Sequence, residues 1–407
     1  MTTGADQADV ALAKQRWIAV VDSPFLPARG GGEQEHLGLL RAAARAGILS
    51  LIVMPAPMDV DLDPYRQAVG GVPILPTPRR RSPLLLLHPR DPFVVASRPA
   101  PRWITGCARE LAPGATAVVT TSYKSWRVGA RLARDLRLPV VLRHQNREGE
   151  YHRSLADGLT GAQRWVMRWE AARIRRDEHR LGRADWLRGT ADISAADAEA
   201  RRAAGGRNVV HVPPFAYDPR AGGAVQRRPD SEPRVVFLGA LDVATNTTAL
   251  DWLLTQVWPL VRAGAPSAIL DVVGRRPSAG LRQRLDSSPG VRLHADVLDI
   301  APFLARSAVA VNPAVSGSGV NIKVIDYLQA GVPLVSTSLA TRGLALTAGT
   351  DLEVSDEPAG FAAAVLRLLR DRAAAEALGC SGQAHVAELL DPAANLLRIA
   401  RLLGPAE

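Results

Sequence analysis

Residues 311–337 read VNPAVSGSGVNIKVIDYLQAGVPLVST, and this stretch narrows the fold more than any other. An apolar run ends in Asn312-Pro313. A loop of small residues follows, Ser316-Gly317-Ser318-Gly319. A helix opens near Asn321 and stops at Gly331, and a second apolar run begins at once. Two strands joined through a helix pair in parallel, so the chain is expected to build α/β layers. Strand, glycine loop and helix N-terminus also form an anion site, because bare backbone N–H groups face outward and the helix dipole favours negative charge. Lysine occurs only at positions 14, 124 and 323. Lys323 in the first turn of this helix offers a compact ammonium to a phosphate. Asp326 lies three residues on, on a neighbouring face, where a carboxylate can accept hydrogen bonds from sugar hydroxyls.

The other segments repeat the alternation. Strand-like runs at 17–21, 51–54, 73–75, 117–120 and 140–143 are separated by helical patterns at 34–46 and 126–135. A long charged helix is expected over 162–181, and Ser194 with Asp197 has capping-box spacing. Residues 218–233, rich in Gly, Arg, Pro and Asp, read as a linker. The pattern then restarts. Strands are expected at 235–239, 269–274, 291–293, 309–312 and 333–337, and helices at 247–262, 281–286, 301–305, 358–370, 372–378 and 395–403. Two doubly wound Rossmann-like domains follow, at 1–215 and 216–390, with 391–407 as a last helix returning to the first. In such sheets ligands sit at the carboxyl ends of the strands. Those ends carry Gly31, Gly32, His144, Gly239, Gly274 and the 316–319 loop.

The 407 residues carry a formal charge of +10, with 47% hydrophobic and 22% charged side chains, enough apolar material for large cores. Two cysteines, Cys107 and Cys380, cannot make a disulfide framework, which points to a reducing compartment. The first residues contain no apolar h-region, so the expectation is a cytoplasmic protein, with the inner membrane face as a second option. The arginines are spread out with no aromatic-interleaved patch, which argues against nucleic acid. PRRRSPLLLLHPR at 78–90 is either an irregular surface loop or a peripheral contact with anionic lipid. Asp59, Asp61 and Asp63 form D-x-D patterns in a Pro-flanked stretch and read as a solvated acidic loop.

Taken in order, FLGALD at 237–242, Asn246, Trp252, Trp258-Pro259, VVG at 272–274, VLD at 297–299, residues 317–326, GVP at 331–333 and Thr337 form a pattern. The first half adds Pro24 with Gly31-Gly32, RHQN at 143–146 through Tyr151, and ISAAD at 193–197. This pattern resembles the retaining nucleotide-sugar glycosyltransferases of the GT-B fold, family four, over about residues 16–347. The family usually has two glutamates eight positions apart in the loop and helix; here Ser318 and Asp326 stand there. The family's Arg and Lys after the first strand of the second domain are replaced in the region of Asp242 and Asn246.

The resemblance implies a two-domain cleft enzyme that transfers a sugar from a nucleoside-diphosphate donor, such as a UDP- or GDP-sugar, to an acceptor hydroxyl with retention. It implies no metal and no cofactor. Gly317, Ser318, Gly319 and Lys323 would hold the diphosphate, with Arg275 or Arg276 adding charge. Asp326 would hold the ribose or donor sugar, and His144 would face the transferred sugar. Gly31 and Gly32 would let the first loop approach the donor, and Gly239 and Gly274 would line its site. Glu148 and Glu150 are weaker candidates for acceptor contacts. The absent first glutamate keeps a non-catalytic nucleotide-binding partner open as an alternative, alongside an epimerase or hydrolase on the same fold.

Overall fold

The computed structural model describes residues 12–28, 30–215, 225, 227–316 and 320–405. The chain divides into two compact units, residues 1–217 with 390–407, and residues 218–389.

The first unit is built on seven strands: β1 Trp17–Val20, β2 Leu49–Pro55, β3 Ile74–Thr77, β4 Ala117–Thr120, β5 Val140–His144, β6 Gly189–Asp192 and β7 Val209–His211. They lie in the order β3-β2-β1-β4-β5-β6-β7, all parallel. The run VVLRH of β5 is buried at every position, as a sheet covered on both faces requires. One core layer joins Leu37, Leu40 and Phe25 to Trp17, Val119 and Val141; the other joins Ile18, Val118 and Leu142 to Val128, Leu132 and Ile174. The strand order reverses between β1 and β4, which is the switch point of this sheet.

The second unit has six strands: β8 Arg234–Ala240, β9 Ile269–Arg275, β10 Val291–Ala295, β11 Val309–Asn312, β12 Leu334–Ser336 and β13 Glu353–Val354. Their order is β10-β9-β8-β11-β12-β13, again all parallel, with the reversal between β8 and β11. These two strands pair only at Val309 with Val235 and Ala310 with Val236. Where they part, the buried Tyr327 hydroxyl accepts a 2.6 Å bond from the Leu238 N–H and reaches the Val311 carbonyl at 3.4 Å.

Several expectations change on the fold. The expected 247–262 helix is three pieces: Ala244–Trp252, a π turn Leu253–Val257, and Trp258–Gly264. Pro259 has no N–H to give its own turn, which suits a widened turn just before it. The helix expected to end at 378 runs from Arg372 to Leu389, through Gly379 and Gly382. The final helix is Pro392–Leu403, with Leu396, Ile399 and Leu403 in the core of the first unit. Part of the expected linker is ordered against the second unit: Arg227 donates to the Gly331 and Ser307 carbonyls at 2.7 Å each. Among the described residues, no helix is long and apolar enough to cross a membrane.

Candidate functional site

The helix Ile322–Gln329 starts just beyond the carboxyl end of β11, beside the switch point of the second sheet. Its first turn carries Lys323. The ammonium donates a 2.7 Å bond to Asn246 Oδ1 and lies 5.2 Å from the Phe237 ring centroid. Asn246 is itself fixed, since its Nδ2 donates to the Ala240 carbonyl at the end of β8. Burial lowers the Lys323 pKa to about 8, with Asp326 pulling the other way. A buried ammonium held by a neutral amide gains from an arriving anion. Asp326 borders a narrow recess with Asp299, Ile300 and Gln329. Asp299 caps the next helix, accepting the Ala301 N–H at 2.9 Å.

Gly317, Ser318 and Gly319 lie outside the described residues. Gly239 and Gly274 face each other across β8 and β9. A Cβ on Gly274 would fall 2.3 Å from the Gly239 carbonyl oxygen and 2.6 Å from Leu241, a packing reason for glycine that needs no ligand. Arg275 ends β9 half-buried, while Arg276 is paired with Asp242 at 2.8 Å.

In the first unit Gly31 and Gly32 are not loop residues. They form the first turn of the helix Gly31–Arg45, where Glu33 accepts the Gly30 N–H at 2.9 Å. Gly32 meets Gln145, whose Nε2 donates to its carbonyl at 3.4 Å. His144 ends β5, but its side chain is 1% exposed and its Nδ1 stands 3.9 Å from Glu178 Oε1. Burial, and then Arg201, hold its pKa well below the ordinary value, so the ring is neutral. Glu178 accepts the N–H groups of Glu148 and Gly149 at 3.0 Å each, capping the helix Glu148–Asp157; burial nonetheless lifts its pKa to about 7. The D-x-D residues are surface groups: Asp61 accepts the Asp63 N–H, and Asp63 pairs with Arg66.

A cluster that the sequence reading missed sits at the switch point of the first sheet. Lys124, just after β4, lies 3.6 Å from Asp22 and 3.3 Å from Glu148. Asp22 also accepts from Ser122 at 3.1 Å and stands 3.6 Å from His36. Burial works against the Asp22 charge, but Lys124, His36 and Arg98 outweigh it and hold the carboxyl well below its usual range. The available signal was lysine scarcity: two of the three lysines stand at the two switch points. A separate recess of about 580 Å³ lies on the flank of this unit, between stacked Trp126 and Trp186 and a fringe of arginines, and holds none of the expected site residues.

Residues 232–371 match the family described as Glycosyl transferases group 1. The fold resembles sucrose-phosphate synthase from Thermosynechococcus elongatus (TM-score 0.65, 17% identity, 95% of this chain and 98% of that one). It also resembles Anabaena HepE solved with UDP-glucose (TM-score 0.62, 15% identity, 95% and 98%). The lipopolysaccharide outer core galactosyltransferase WaaB is similar as well (TM-score 0.58, 12% identity, 93% and 98%). An uncharacterized 44.6 kDa protein in the cps region of Klebsiella pneumoniae is 26% identical over 135 residues, 31% of this chain and 35% of that protein. The chain thus matches about a third of that relative's length. Two Rossmann-like parallel-sheet domains match GT-B glycosyltransferases in fold, and with the group 1 domain they support a glycosyltransferase.

Proposed function

We propose that the protein transfers a sugar from a nucleoside-diphosphate donor to an acceptor hydroxyl, with retention and without a metal. The observation that carries this reading is Lys323, an ammonium at the β8/β11 switch point, fixed by Asn246 and with burial lowering its pKa to about 8. In the reaction the bond from the anomeric carbon to the diphosphate oxygen breaks, and the acceptor oxygen bonds to that carbon. The acceptor proton passes to the leaving phosphate, so no protein base is required. Lys323 and the start of its helix stabilise the charge that develops on the departing phosphate. By the resemblance, backbone N–H groups of Gly317, Ser318 and Gly319 would bind the diphosphate as well. Asp326 accepts from ribose or sugar hydroxyls. His144 lies buried at the end of β5 and acts from beneath Gln145, whose amide meets the Gly32 carbonyl, rather than touching the sugar itself. The UDP and UDP-glucose complexes of HepE favour a uridine nucleotide as the donor carrier.

The test incubates the purified protein with UDP- and GDP-sugars, with and without candidate hydroxyl acceptors, and follows nucleotide release and product anomer in the presence of EDTA. Acceptor-dependent release that Lys323→Ala abolishes supports the reading. Release without acceptor would make the protein a hydrolase, and nucleotide binding without turnover would make it a non-catalytic partner.

A further inference from the structure

One face of the first unit is apolar and basic together. On the helix Gly161–Leu181, Trp165 is 74% exposed, Val166 44% and Trp169 48%. Leu84 at 74% and Leu87 at 77% stand out from the short turn Pro83–Leu87. The two elements form one surface. Arg173 donates to the Leu86 carbonyl at 2.9 Å and also to the His88 carbonyl, while its guanidinium covers the Trp169 ring at 4.5 Å. Glu170, on the same helix, accepts the Phe93 N–H at 2.7 Å and fixes the chain just past the turn. Arg79, Arg80, Arg81 and Arg90 are exposed on either side of the leucines. Residues 78–90 contain no acid, and among the described residues these four arginines have no ion-pair partner.

Single exposed apolar residues need no explanation, but here they stand on two elements joined through Arg173. The turn is flanked by cations without ion-pair partners among the described residues, while Arg164 and Arg168 beside the tryptophans are paired with Asp157. Tryptophan favours the water–lipid boundary, where its amphipathic ring is wetted at one edge. Leucines on a turn can enter the acyl boundary, and arginines beside them gain from anionic headgroups. We propose that this face docks on an anionic lipid bilayer, with Leu84, Leu87, Trp165 and Trp169 entering the interfacial layer and Arg79, Arg80, Arg81 and Arg90 meeting headgroups. The unpaired arginines are what favour a charged bilayer over a second protein chain as the occupant. The inference is independent of the sugar-transfer reading.

The test uses the full chain without donor or acceptor. Phosphatidylcholine vesicles with and without phosphatidylglycerol are sedimented with the wild type, with Trp165→Ser/Trp169→Ser, and with Arg79→Gln/Arg80→Gln/Arg81→Gln. The wild type is expected to sediment with the anionic vesicles only, to be released as salt rises, and to shift its tryptophan emission to the blue. Each variant is expected to lower partitioning by about tenfold or more, with an unchanged melting midpoint showing that it folds. No binding to anionic vesicles, equal binding to neutral ones, or variants that bind as the wild type does would each overturn the proposal. So would a dimer on a sizing column that the tryptophan variant splits while vesicles bind nothing, an outcome that assigns the face to self-association.

Discussion

Lys323 is hydrogen-bonded to Asn246 across 2.7 Å, joining the helix after β11 to the segment after β8 at the place where the second sheet reverses its strand order. The partner is a neutral amide, so the lysine is oriented without being neutralised. The Asp326 carboxylate also acts on its charge, so a bound phosphate would share the ammonium with it.

A nucleoside diphosphate should therefore bind with a pH limit set by this lysine. Its pKa is lowered to about 8, so the ammonium is present below that value and lost above it. Affinity for UDP or GDP is expected to hold steady up to about pH 8 and then to fall by at most about tenfold per unit. Calorimetric titration across that range checks it; a flat profile removes Lys323 from the site.

Asn246→Asp would place a carboxylate against the ammonium. The pair raises the lysine pKa and competes with phosphate, so nucleotide affinity should fall roughly tenfold while the alkaline limb moves to higher pH. Both effects are read in the same titration. A loss of affinity with an unmoved limb would point to altered shape instead.

Arg143 is buried, bonded through Nε to Glu35 at 2.6 Å and through both terminal nitrogens to the Val212 and Pro213 carbonyls. Glu35 in turn accepts the Phe215 N–H at 2.7 Å. Arg143→Ala leaves a buried carboxylate and two carbonyls without their partner, and unfolding in urea should show a loss of about 3–5 kcal/mol.

Gly379→Ala and Gly382→Ala weigh helix propensity against space. Alanine gains about 1 kcal/mol over glycine inside a helix. The added Cβ, however, would lie 2.4 Å from the Gly331 oxygen in one case and 2.4 Å from the Asp351 oxygen in the other. Crowding against backbone costs about 1–3 kcal/mol or more, so both variants should melt below the wild type. A raised midpoint would show that the helix shifts freely.

Glu178 carries a stability signature in acid. Burial raises its folded pKa from 4.5 to about 7, so between those values the folded chain holds more protons than the unfolded one. Its contribution to stability is full below about 4.5 and is lost as pH rises through 7. Glu178→Gln should flatten that part of the stability–pH curve, although it lowers stability overall by disturbing the bonds to Glu148 and Gly149. Denaturant melts at stepped pH decide; an unchanged slope would place the titration elsewhere.

The strands were legible because β-branched and aliphatic runs between helical patterns leave few alternatives; 117–120 and 309–312 match β4 and β11 to the residue. Ser194 could be recognised as a cap from spacing alone, and its Oγ accepts the Asp197 N–H at 3.2 Å. Gly379 and Gly382 misled for a tertiary reason: they look like helix breakers, yet they let the helix lie against the Gly331 and Asp351 carbonyls. β6, with the sequence GTAD, has too little apolar character to declare itself as a buried strand. At the second switch point Lys323 was visible, but its hold on Asn246, 77 residues away, was not. The Asp22, Lys124 and Glu148 cluster was hidden for the same reason, since Asp22 and Ser122 meet across 100 residues.

The last helix has a practical consequence for anyone dissecting the molecule. Leu396, Ile399 and Leu403, with Ala400, complete a hydrophobic layer whose other buried members all lie between Leu12 and Phe215. Removing three such side chains forfeits roughly 5–9 kcal/mol of burial, on the scale of a domain's entire margin against unfolding. A fragment halted near residue 217 would thus be an incomplete body, prone to clump. Studying the front lobe in isolation calls for grafting the terminal segment back on, by a short connector or by co-expression.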